Sequence, residues 1–480
     1  MKKIYKKLQK LLALCVIILI VSFKLYSQTD LDYYLPENAE LNPEVPTPQE
    51  ITGYSVGDWH FSHDQLLQYA KKIAEISDRA ILKEYARSWE NRPLVYLVFT
   101  DPQNHSKLEE IRLAHIGASK YGRSIDSEEM DPLVIHLGYG VHGNESSASN
   151  SSILTLYYLA ASEDEWVVEL LKNSIIIVDP CLNPDGFTRH SSWINMNRSQ
   201  TLVSDPAARG FNEPWPGART NHYWFDLNRD YIPLTHPESK GRINLFHSWL
   251  PHILTDHHEM GANSTFFFQP GVETRNNPIV PEENYILTKE IAGFHARALD
   301  KFGVTYFTEE RFDDYYFGKG SSYPDANGGI GILFEQAGFR GHLRETDHGL
   351  KTFSYAVRNQ FNVTLSTLRA GMDLKEDLIN YQREFFSSGL QKADSSPVKA
   401  YIFGEEFDHT RLQNFIELLL NHKIEVHRIE KDLQVENKFY SKENSYLVLT
   451  SQEQFLLIRS LFDPVNEFRD TTFYDVSTWT

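Results

Sequence analysis

DHHEMG, the stretch from Asp256 to Gly261, follows the apolar run PHILT, which is typical of a short buried strand. A second polar motif, HGNE at His142–Glu145, follows the longer apolar run PLVIHLGYG and precedes a helix-like segment, SSASNSSILTLYYLA. Both motifs therefore lie where a strand ends. Since open α/β sheets place their sites at the carboxyl ends of the strands, we expect the two motifs to face one cleft.

The residue types in these motifs predict a metal site. Catalytic zinc usually takes three protein ligands, and two histidines with one glutamate are a standard set. HGNE supplies His142 and Glu145, so DHHEMG has to supply the third ligand. Side chains next to each other on a strand point to opposite faces, so only one of His257 and His258 can face the metal. The residues alone leave that choice open.

A His-x-x-Glu motif is weak by itself, because 19 histidines give about one or two matches by chance. A second match does occur at His342–Glu345, but no strand of comparable quality leads into it. Further motifs lie between and after the two histidine segments. They are NPDG at Asn183–Gly186, DLNR at Asp226–Arg229, and the apolar strand GILFEQAG, which carries Glu335. Five motifs in a fixed order are far less likely to arise by chance than one.

In this order the motifs resemble the zinc carboxypeptidase family, the carboxypeptidase A-like metallopeptidases, from about residue 50 to about residue 385. The resemblance implies one Zn²⁺ per chain on His142, Glu145 and His258, since the family pattern is D-x-H. It implies that Asp226 hydrogen-bonds the far nitrogen of a ligating histidine. Glu335 is then the general base and acid, which takes a proton from water and passes it to the leaving amine.

The resemblance also assigns the groups that bind substrate. An arginine polarises the scissile carbonyl in this family, and by its spacing from NPDG it is Arg198, in NMNR. Asn228 and Arg229 lie where the family binds the terminal carboxylate of the substrate, a task that suits the planar fork of arginine. The family also caps the substrate with a tyrosine, which belongs to DDYYFGKGSSY here. The sequence offers Tyr315, Tyr316 and Tyr323, and we predict Tyr316 with the other two as alternatives.

The patterns and the resemblance predict an α/β fold, in which a mixed, mostly parallel twisted sheet has helices on both faces. We place this catalytic domain at residues 50–386, after a proline-containing leader at 29–49. A linker at 387–398 is expected to lead into a small α/β module with a partly parallel sheet at 399–480. That module offers no chemistry in its sequence, and it is expected to be incomplete where the chain ends.

The start of the chain predicts export. Residues 1–28 have the basic, apolar and small-residue order of a secretory signal, with cleavage near Ser27 or Gln28, and an uncleaved anchor is the alternative. Only Cys181 remains after cleavage, so no intramolecular disulfide can form. A net charge of −18 argues against nucleic acid as a partner. We expect a periplasmic, cell-envelope or extracellular protein without stable membrane association.

The function that the resemblance implies is a zinc-dependent metallocarboxypeptidase, whose partners are peptides with a free C-terminal carboxylate. One alternative is a zinc amide hydrolase that acts on N-acyl amino acids or cell-wall peptides, because the same metal geometry serves both reactions. The other alternative is a non-catalytic binding protein that retains zinc. The preferred C-terminal residue is left open, because the base of the specificity pocket has no recognisable motif.

Overall fold

A computed structural model describes residues 29–125 and 131–470. Its main sheet has eight strands in the order β1-β2-β4-β3-β5-β8-β6-β7. The strands are β1 Ala80–Arg87, β2 Pro93–Phe99, β3 Leu133–Tyr139, β4 Ser174–Asp179, β5 Ile253–Met260, β6 Phe266–Phe268, β7 Tyr306–Phe307 and β8 Ile330–Ala337. The four central strands, β4, β3, β5 and β8, are parallel, and the flanking pairings are mostly antiparallel. The predicted mixed, mostly parallel sheet is confirmed.

Helices cover both faces of this sheet. They are α1 Pro48–Thr52, α2 His63–Ile76, α3 Pro102–His105, α4 Leu108–Tyr121, α5 Ser146–Ala161, α6 Glu165–Asn173, α7 Pro184–Met196, α8 Pro237–Trp249, α9 Glu282–Lys301, α10 Phe353–Asp373, α11 Lys375–Ser395, α12 His409–Asn421 and α13 Phe455–Phe462. A short hairpin, β9 Leu343–Thr346 with β10 Gly349–Thr352, precedes α10.

Successive side chains of the central strands pack into two separate cores, one on each face of the sheet. On β3, Ile135 packs into the larger core, which includes residues of α5 and α10. The neighbouring Val134 packs on the other face against Leu245 and Trp249 of α8. Because both faces are covered, β3, β4 and β5 are buried almost throughout, as expected for central parallel strands.

The C-terminal module contains the strands β11 Ala400–Gly404, β12 His427–Arg428, β13 Leu433–Val435, β14 Lys438–Tyr440 and β15 Ser445–Leu449. Here β15 lies between β11 and β12 and is antiparallel to both, so the expected partly parallel sheet is wrong. The predicted linker also differs, because α11 continues through Ser395 and only residues 396–399 separate it from β11. Buried residues of α11, such as Phe385, hold this helix on the main core.

The module packs against the loop that precedes β8. The hydroxyl of Tyr323 in that loop lies 2.8 Å from His422 Nδ1 of the module and 2.8 Å from His247 Nε2 of α8. Gln454 of the module donates to Asn327, four residues after Tyr323. These buried contacts tie the loop to two other parts of the chain.

Two sequence-based predictions concern export. The predicted signal segment, residues 1–28, lies outside the described residues. Within the described part of the chain, no helix has the length and apolar character that a membrane crossing requires. Cys181 is a free, buried cysteine, as expected from its position at the end of β4.

Candidate metal centre and active site

The two histidine motifs meet at the carboxyl ends of β3 and β5. His142 and Glu145 follow β3, whereas His258 belongs to β5, its neighbour in the sheet. The Nδ1 atoms of the two histidines lie 3.0 Å apart. Each also lies beside the Glu145 carboxylate, at 3.0 Å for His142 and 2.8 Å for His258. All three residues are buried, and each offers one ligand atom within 4.8 Å of the others.

Two further carboxylates orient these histidines. Asp226 Oδ1 lies 2.8 Å from His142 Nε2, and Asp256 Oδ1 lies 2.7 Å from His258 Nε2. When each Nε2–H faces its carboxylate, each Nδ1 is left with its lone pair directed at the common centre. Two lone pairs and a carboxylate that converge in a buried site repel one another unless a cation lies between them. The donor set therefore fits a metal ion, and its composition matches that of catalytic zinc sites.

The neighbouring His257 faces away from this centre. Its ring stacks on Tyr139 with 4.5 Å between the ring centroids, and its Nδ1 lies 2.8 Å from Gln360 Oε1 of α10. Burial lowers the pKa of His257 to about 4. Strand alternation thus separates the two histidines, and the structure brings His258 to the metal ligands.

Glu335 lies on β8 directly beside the metal ligands. In the parallel pairing of β5 with β8, Glu335 is the partner of His258. Burial raises the pKa of Glu335 to about 8; the charges of His258 and Arg219 oppose the rise, and that of Glu145 adds to it. A carboxyl group with a raised pKa beside a metal ion has the properties of a general base and acid.

Arg219 is the arginine that the structure brings to this centre. Its Nη1 donates to Glu145 at 2.9 Å, and its Nε and Nη2 donate to Asp226 at 3.2 and 3.0 Å. The guanidinium is partly exposed, so it borders both the metal ligands and the cleft. Its carbonyl oxygen accepts bonds from the Asn183 side chain and from the Gly143 backbone N–H. The NPDG and HGNE motifs therefore fix the backbone of this arginine.

Gly143 is required at this junction. A Cβ atom there would lie 2.1 Å from the backbone of Gly186, the last residue of NPDG. The two motif loops can approach this closely because position 143 lacks a side chain.

Arg198, which spacing assigned to the scissile carbonyl, lies elsewhere. It follows the end of α7, where its Nε donates to the carbonyl oxygen of Asp58 at 3.2 Å. Its guanidinium lies over the Trp59 ring, 4.5 Å from the centroid. In the described residues no contact joins Arg198 to His142, Glu145 or His258. Helix α7 directs the chain after NPDG towards residues 58–59, and the role of Arg198 at the scissile carbonyl stays a prediction.

The residues assigned to the terminal carboxylate of the substrate divide into two groups. Asn228 is engaged by the protein: its Nδ2 donates to Asp256 at 3.0 Å, and its Oδ1 accepts from the Gly320 backbone at 2.8 Å. Arg229 donates from Nη1 to the Asn228 carbonyl, and its own carbonyl accepts from the Tyr316 hydroxyl at 3.1 Å. Arg229 and Tyr316 are therefore adjacent, whereas Asn228 holds Asp256 and the following loop in place.

The other two tyrosine candidates lie apart from Arg229. Tyr323 is completely buried between two histidines, as described above. The Tyr315 ring faces Phe468 of the C-terminal module, with 5.7 Å between centroids. Tyr316 is thus the tyrosine whose position suits a contact with substrate beside Arg229.

Comparisons with known proteins agree with this geometry. The sequence model of the zinc carboxypeptidase family matches residues 66–372, which is more than half of the chain. The chain belongs to the zinc carboxypeptidase family. Zinc is accordingly the metal that His142, Glu145 and His258 would hold.

Known carboxypeptidases resemble part of the chain. Carboxypeptidase 2 of Trichophyton tonsurans is 31% identical over 152 residues, which are 32% of this chain and 23% of the relative. Carboxypeptidase E of Caenorhabditis elegans is 29% identical over 185 residues, or 37% of this chain and 31% of the relative. The metallo-carboxypeptidase structure from Burkholderia cenocepacia is 13% identical, with 65% of this chain and 70% of that chain covered and a TM-score of 0.45. The chain thus matches less than a quarter of the length of the fungal relative.

Two residues of this zinc carboxypeptidase site escaped the sequence analysis. Asp256 stands two positions before His258, so strand alternation places both on one face, and this signal was available in DHHEMG. Arg219 stands seven positions before Asp226 in the same loop. Its nearness to DLNR was the available signal, but spacing from NPDG favoured Arg198 instead.

The second His-x-x-Glu match forms no such centre. His342 is buried, with its ring 4.9 Å from that of His60, while Glu345 is exposed on β9. The two side chains therefore do not converge as His142 and Glu145 do.

Proposed function

We propose that this protein is a zinc-dependent carboxypeptidase that hydrolyses the C-terminal peptide bond of peptides. The observation that carries the proposal is the position of Glu335, which is paired with His258 across β5 and β8 while Arg219 borders the same metal ligands. A general base, a carbonyl-binding cation and a metal site then lie within one cleft. A binding protein without turnover has no need for that combination.

Arg229 and Tyr316 position the substrate in this proposal. The planar guanidinium of Arg229 can donate two parallel bonds to the terminal carboxylate, which specifies a free C-terminus. The Tyr316 hydroxyl, now on the Arg229 carbonyl, is near enough to contact the same end of the substrate. These contacts bring the last peptide bond to the metal ligands.

The chemical step uses three further groups. Zinc on His142, Glu145 and His258 would supply a Lewis acid that activates water at neutral pH. Glu335 takes the proton of the attacking water and returns it to the leaving amine. Arg219 donates to the carbonyl oxygen as negative charge develops there, the stabilisation that usually contributes most to such reactions.

The experiment that tests the proposal compares the zinc-loaded protein with Glu335→Gln. We expect the original protein to release C-terminal residues from a mixed peptide library, and the variant to keep its zinc but lose this activity. Glu282→Gln, an exposed change of the same kind on α9, is the matched control and should remain active. Zinc binding without release by any of the three proteins would refute the proposal.

Peptides with an amidated C-terminus separate the proposal from its main alternative. A carboxypeptidase that recognises the free carboxylate through Arg229 loses these substrates. The alternative zinc amide hydrolase, which acts on acylated amino acids or cell-wall peptides, keeps amidated substrates if it cleaves bonds within a peptide chain. Cleavage of amidated and free peptides at equal rates would therefore favour the hydrolase.

We also propose that the protein is exported to the periplasm, the cell envelope or the medium and acts there without stable membrane association. The proposal rests on the order of basic, apolar and small residues at 1–28. N-terminal sequencing of the protein recovered from a cell-envelope or culture fraction tests it, with Thr29 near the expected first residue.

A further inference from the structure

Four arginines that follow α7 or precede and begin β9 form no ion pair with a carboxylate in the part of the chain that the structure describes. They are Arg198, Arg209, Arg340 and Arg344, and we call them the arginine patch. In the described residues none of the four forms an ion pair, and the side-chain bond that the structure gives to this set is from Arg198 Nε to the Asp58 carbonyl oxygen. Other arginines of the catalytic domain, such as Arg92, Arg112 and Arg219, do form ion pairs. The chain carries 65 acidic and 47 basic residues, so an uncompensated positive patch is unusual in it.

Aromatic rings hold three of these arginines in place. Their guanidinium groups lie over ring faces at 4.5 to 5.5 Å from the centroids: Arg198 on Trp59, Arg209 on Trp193 and Arg344 on Phe211. Stacking orients a guanidinium while its N–H groups at the edge stay available to an acceptor. The arrangement is typical of arginines that recognise anions.

The patch is continuous, because its three loops contact one another. Gly341 stands between Arg340 and Arg344 and lies against the Phe211 ring. A Cβ atom at this position would be 2.7 Å from that ring. The ring of His342 faces Trp59, with 6.2 Å between centroids. Arg340 is close enough to Arg344 for its charge, after burial, to lower the pKa of the Arg344 guanidinium.

Three carboxylates lie near the patch, and each has other partners. Asp58 is half-buried beside Arg198, whose charge opposes the rise in the Asp58 pKa that burial causes, and it accepts a backbone bond from Thr29. Glu213 accepts bonds from His190 and from Asn144, the residue between the metal ligands of HGNE. Glu259, next to His258, accepts backbone bonds from Ser147 and Phe339. Asn144 and Glu259 are next in the chain to the metal ligands Glu145 and His258, so these bonds bring the segments of the patch close to the metal ligands.

Two buried imidazole nitrogens add a second observation. Nε2 of His190 and Nε2 of His342 have no hydrogen-bond partner in the described part of the chain. Arg198 is close enough to His342 for its charge, after burial, to lower the pKa of that imidazole. The unpaired nitrogens therefore lie beside the arginine patch. Buried polar atoms are normally hydrogen-bonded, so unpaired nitrogens beside unpaired arginines indicate a place for a polar ligand.

We infer that the arginine patch binds acidic side chains of the peptide on the N-terminal side of the scissile bond. The inference rests on the proposed function, in which Arg229 and Tyr316 hold the C-terminal end of the substrate. The patch is built from other segments, around residues 58–60, 193–213 and 339–344, and adjoins the metal ligands through Asn144 and Glu259. A peptide anchored at Arg229 therefore reaches the patch with the residues that precede its last bond. Peptides rich in glutamate or aspartate are the preferred substrates.

The first test uses acetylated tetrapeptides that share one C-terminal residue and carry three Glu, three Gln or three Lys before it. Partly exposed ion pairs contribute little singly, but several charge-assisted bonds together should raise kcat/KM for the Glu peptide about tenfold over the Gln peptide. The Lys peptide should be the poorest substrate. Raising the ionic strength should reduce the Glu/Gln ratio, because exposed charges are screened. A ratio near one in the unmodified protein, with both peptides cleaved, overturns the inference and leaves the proposed function intact.

Variants locate the effect. The double variant Arg198→Gln with Arg344→Gln should bring the Glu/Gln ratio close to one. Arg297→Gln is the matched control, because Arg297 is an exposed arginine that also stacks on an aromatic ring, 4.4 Å from the Phe294 centroid, but lies on α9. It removes one positive charge and should keep the ratio. A ratio that is unchanged in the double variant refutes the assignment to this patch.

A binding measurement separates this inference from the proposed function. Acetyl-Glu-Glu-Glu-amide and its Gln counterpart have no free C-terminus, so they report on the patch without hydrolysis. Calorimetry and the fluorescence of Trp59 and Trp193, which lie under patch arginines, should show binding of the Glu peptide alone. If no peptide is hydrolysed in the first test, the proposed function fails, and this titration still decides the inference. Equal or absent binding of the two amides overturns it.

Discussion

Replacing Arg219 with glutamine tests which arginine serves the reaction. The change removes three charge-assisted bonds, one to Glu145 and two to Asp226, and it removes the cation that borders both the ligands and the cleft. Glutamine keeps a polar side chain of similar length. The variant therefore isolates the loss of the guanidinium.

The structure separates the two costs of this change. The Arg219 side chain is 40% exposed, so solvent partly screens its ion pairs to Glu145 and Asp226. Each pair therefore contributes at most about 1 kcal/mol to stability. Loss of a donor to the developing oxyanion costs about 3 to 4 kcal/mol, which is about 10²- to 10³-fold in kcat. The expected result is a folded protein with strongly reduced turnover.

The assay measures kcat and KM on one peptide with a free C-terminus, together with zinc content and the thermal midpoint. Arg198→Gln is the matched control, because spacing in the sequence favoured that arginine while the structure places it over Trp59. A neutral peptide should be used, so that charge in the substrate does not enter the comparison. Arg219→Lys should not restore kcat, since lysine lacks the planar fork.

A catalytic role for Arg219 is refuted if Arg219→Gln retains kcat within tenfold while it binds zinc normally. That role is also refuted if Arg198→Gln loses more kcat than Arg219→Gln on the neutral peptide. Loss of zinc from Arg219→Gln would instead show that its bonds to Glu145 and Asp226 hold the ligand set, so activity is compared only at equal zinc content.

Three further predictions concern zinc affinity, the C-terminal module and pH. Asp256→Asn should weaken zinc binding about 10- to 100-fold in a chelator competition, because the far nitrogen of a ligating histidine loses its carboxylate; unchanged affinity would contradict this. Tyr323→Phe removes one hydroxyl from two buried histidines, so urea unfolding should show a loss of about 1 to 3 kcal/mol; a loss below about 0.5 kcal/mol would count against it. Burial lowers the pKa of His136 to about 3, so its contribution to stability is complete above its unfolded pKa and declines as pH falls from about 6.5 towards 3. His136→Leu should therefore lose about 2 kcal/mol less than the original protein between pH 7 and pH 5, and parallel unfolding curves for the two proteins would refute this.

The parts of the fold that the sequence predicted are those with local signals. The long apolar runs before HGNE and DHHEMG predicted β3 and β5, and burial on both faces explains why they contain so few polar residues. The C-terminal strands are short, at two to five residues each, so their sequences do not fix which strand pairs with which. The end of α11 was not predicted, because its last residues form a serine-containing run whose composition resembles a linker.

The metal ligands were predictable because two of them are close in sequence, and because strand alternation lets only one of the two adjacent histidines face the metal. His257 and His258 lie on opposite faces of β5, and Glu145 is three residues from His142. Asn228 shows the limit of a motif. Its position in DLNR suggested a contact with substrate, whereas its amide bonds Asp256 and the Gly320 backbone, a partner 92 residues away in the chain.

Arg219 shows why distance along the chain is a poor guide within long loops. The segment between α7 and DLNR has no repeating pattern. The number of residues after NPDG therefore does not indicate which residue of this segment lies beside the metal ligands. That residue is fixed by one side chain: Asn183 of NPDG donates to the carbonyls of Val141 and Arg219 and thereby joins the first metal motif to the arginine. The Asn183 amide thereby selects the residue that it holds, whatever the length of the loop between them. An Asn183→Ala variant should accordingly reduce kcat in the same direction as Arg219→Gln, although Asn183 itself has no contact with the metal ligands in the described structure.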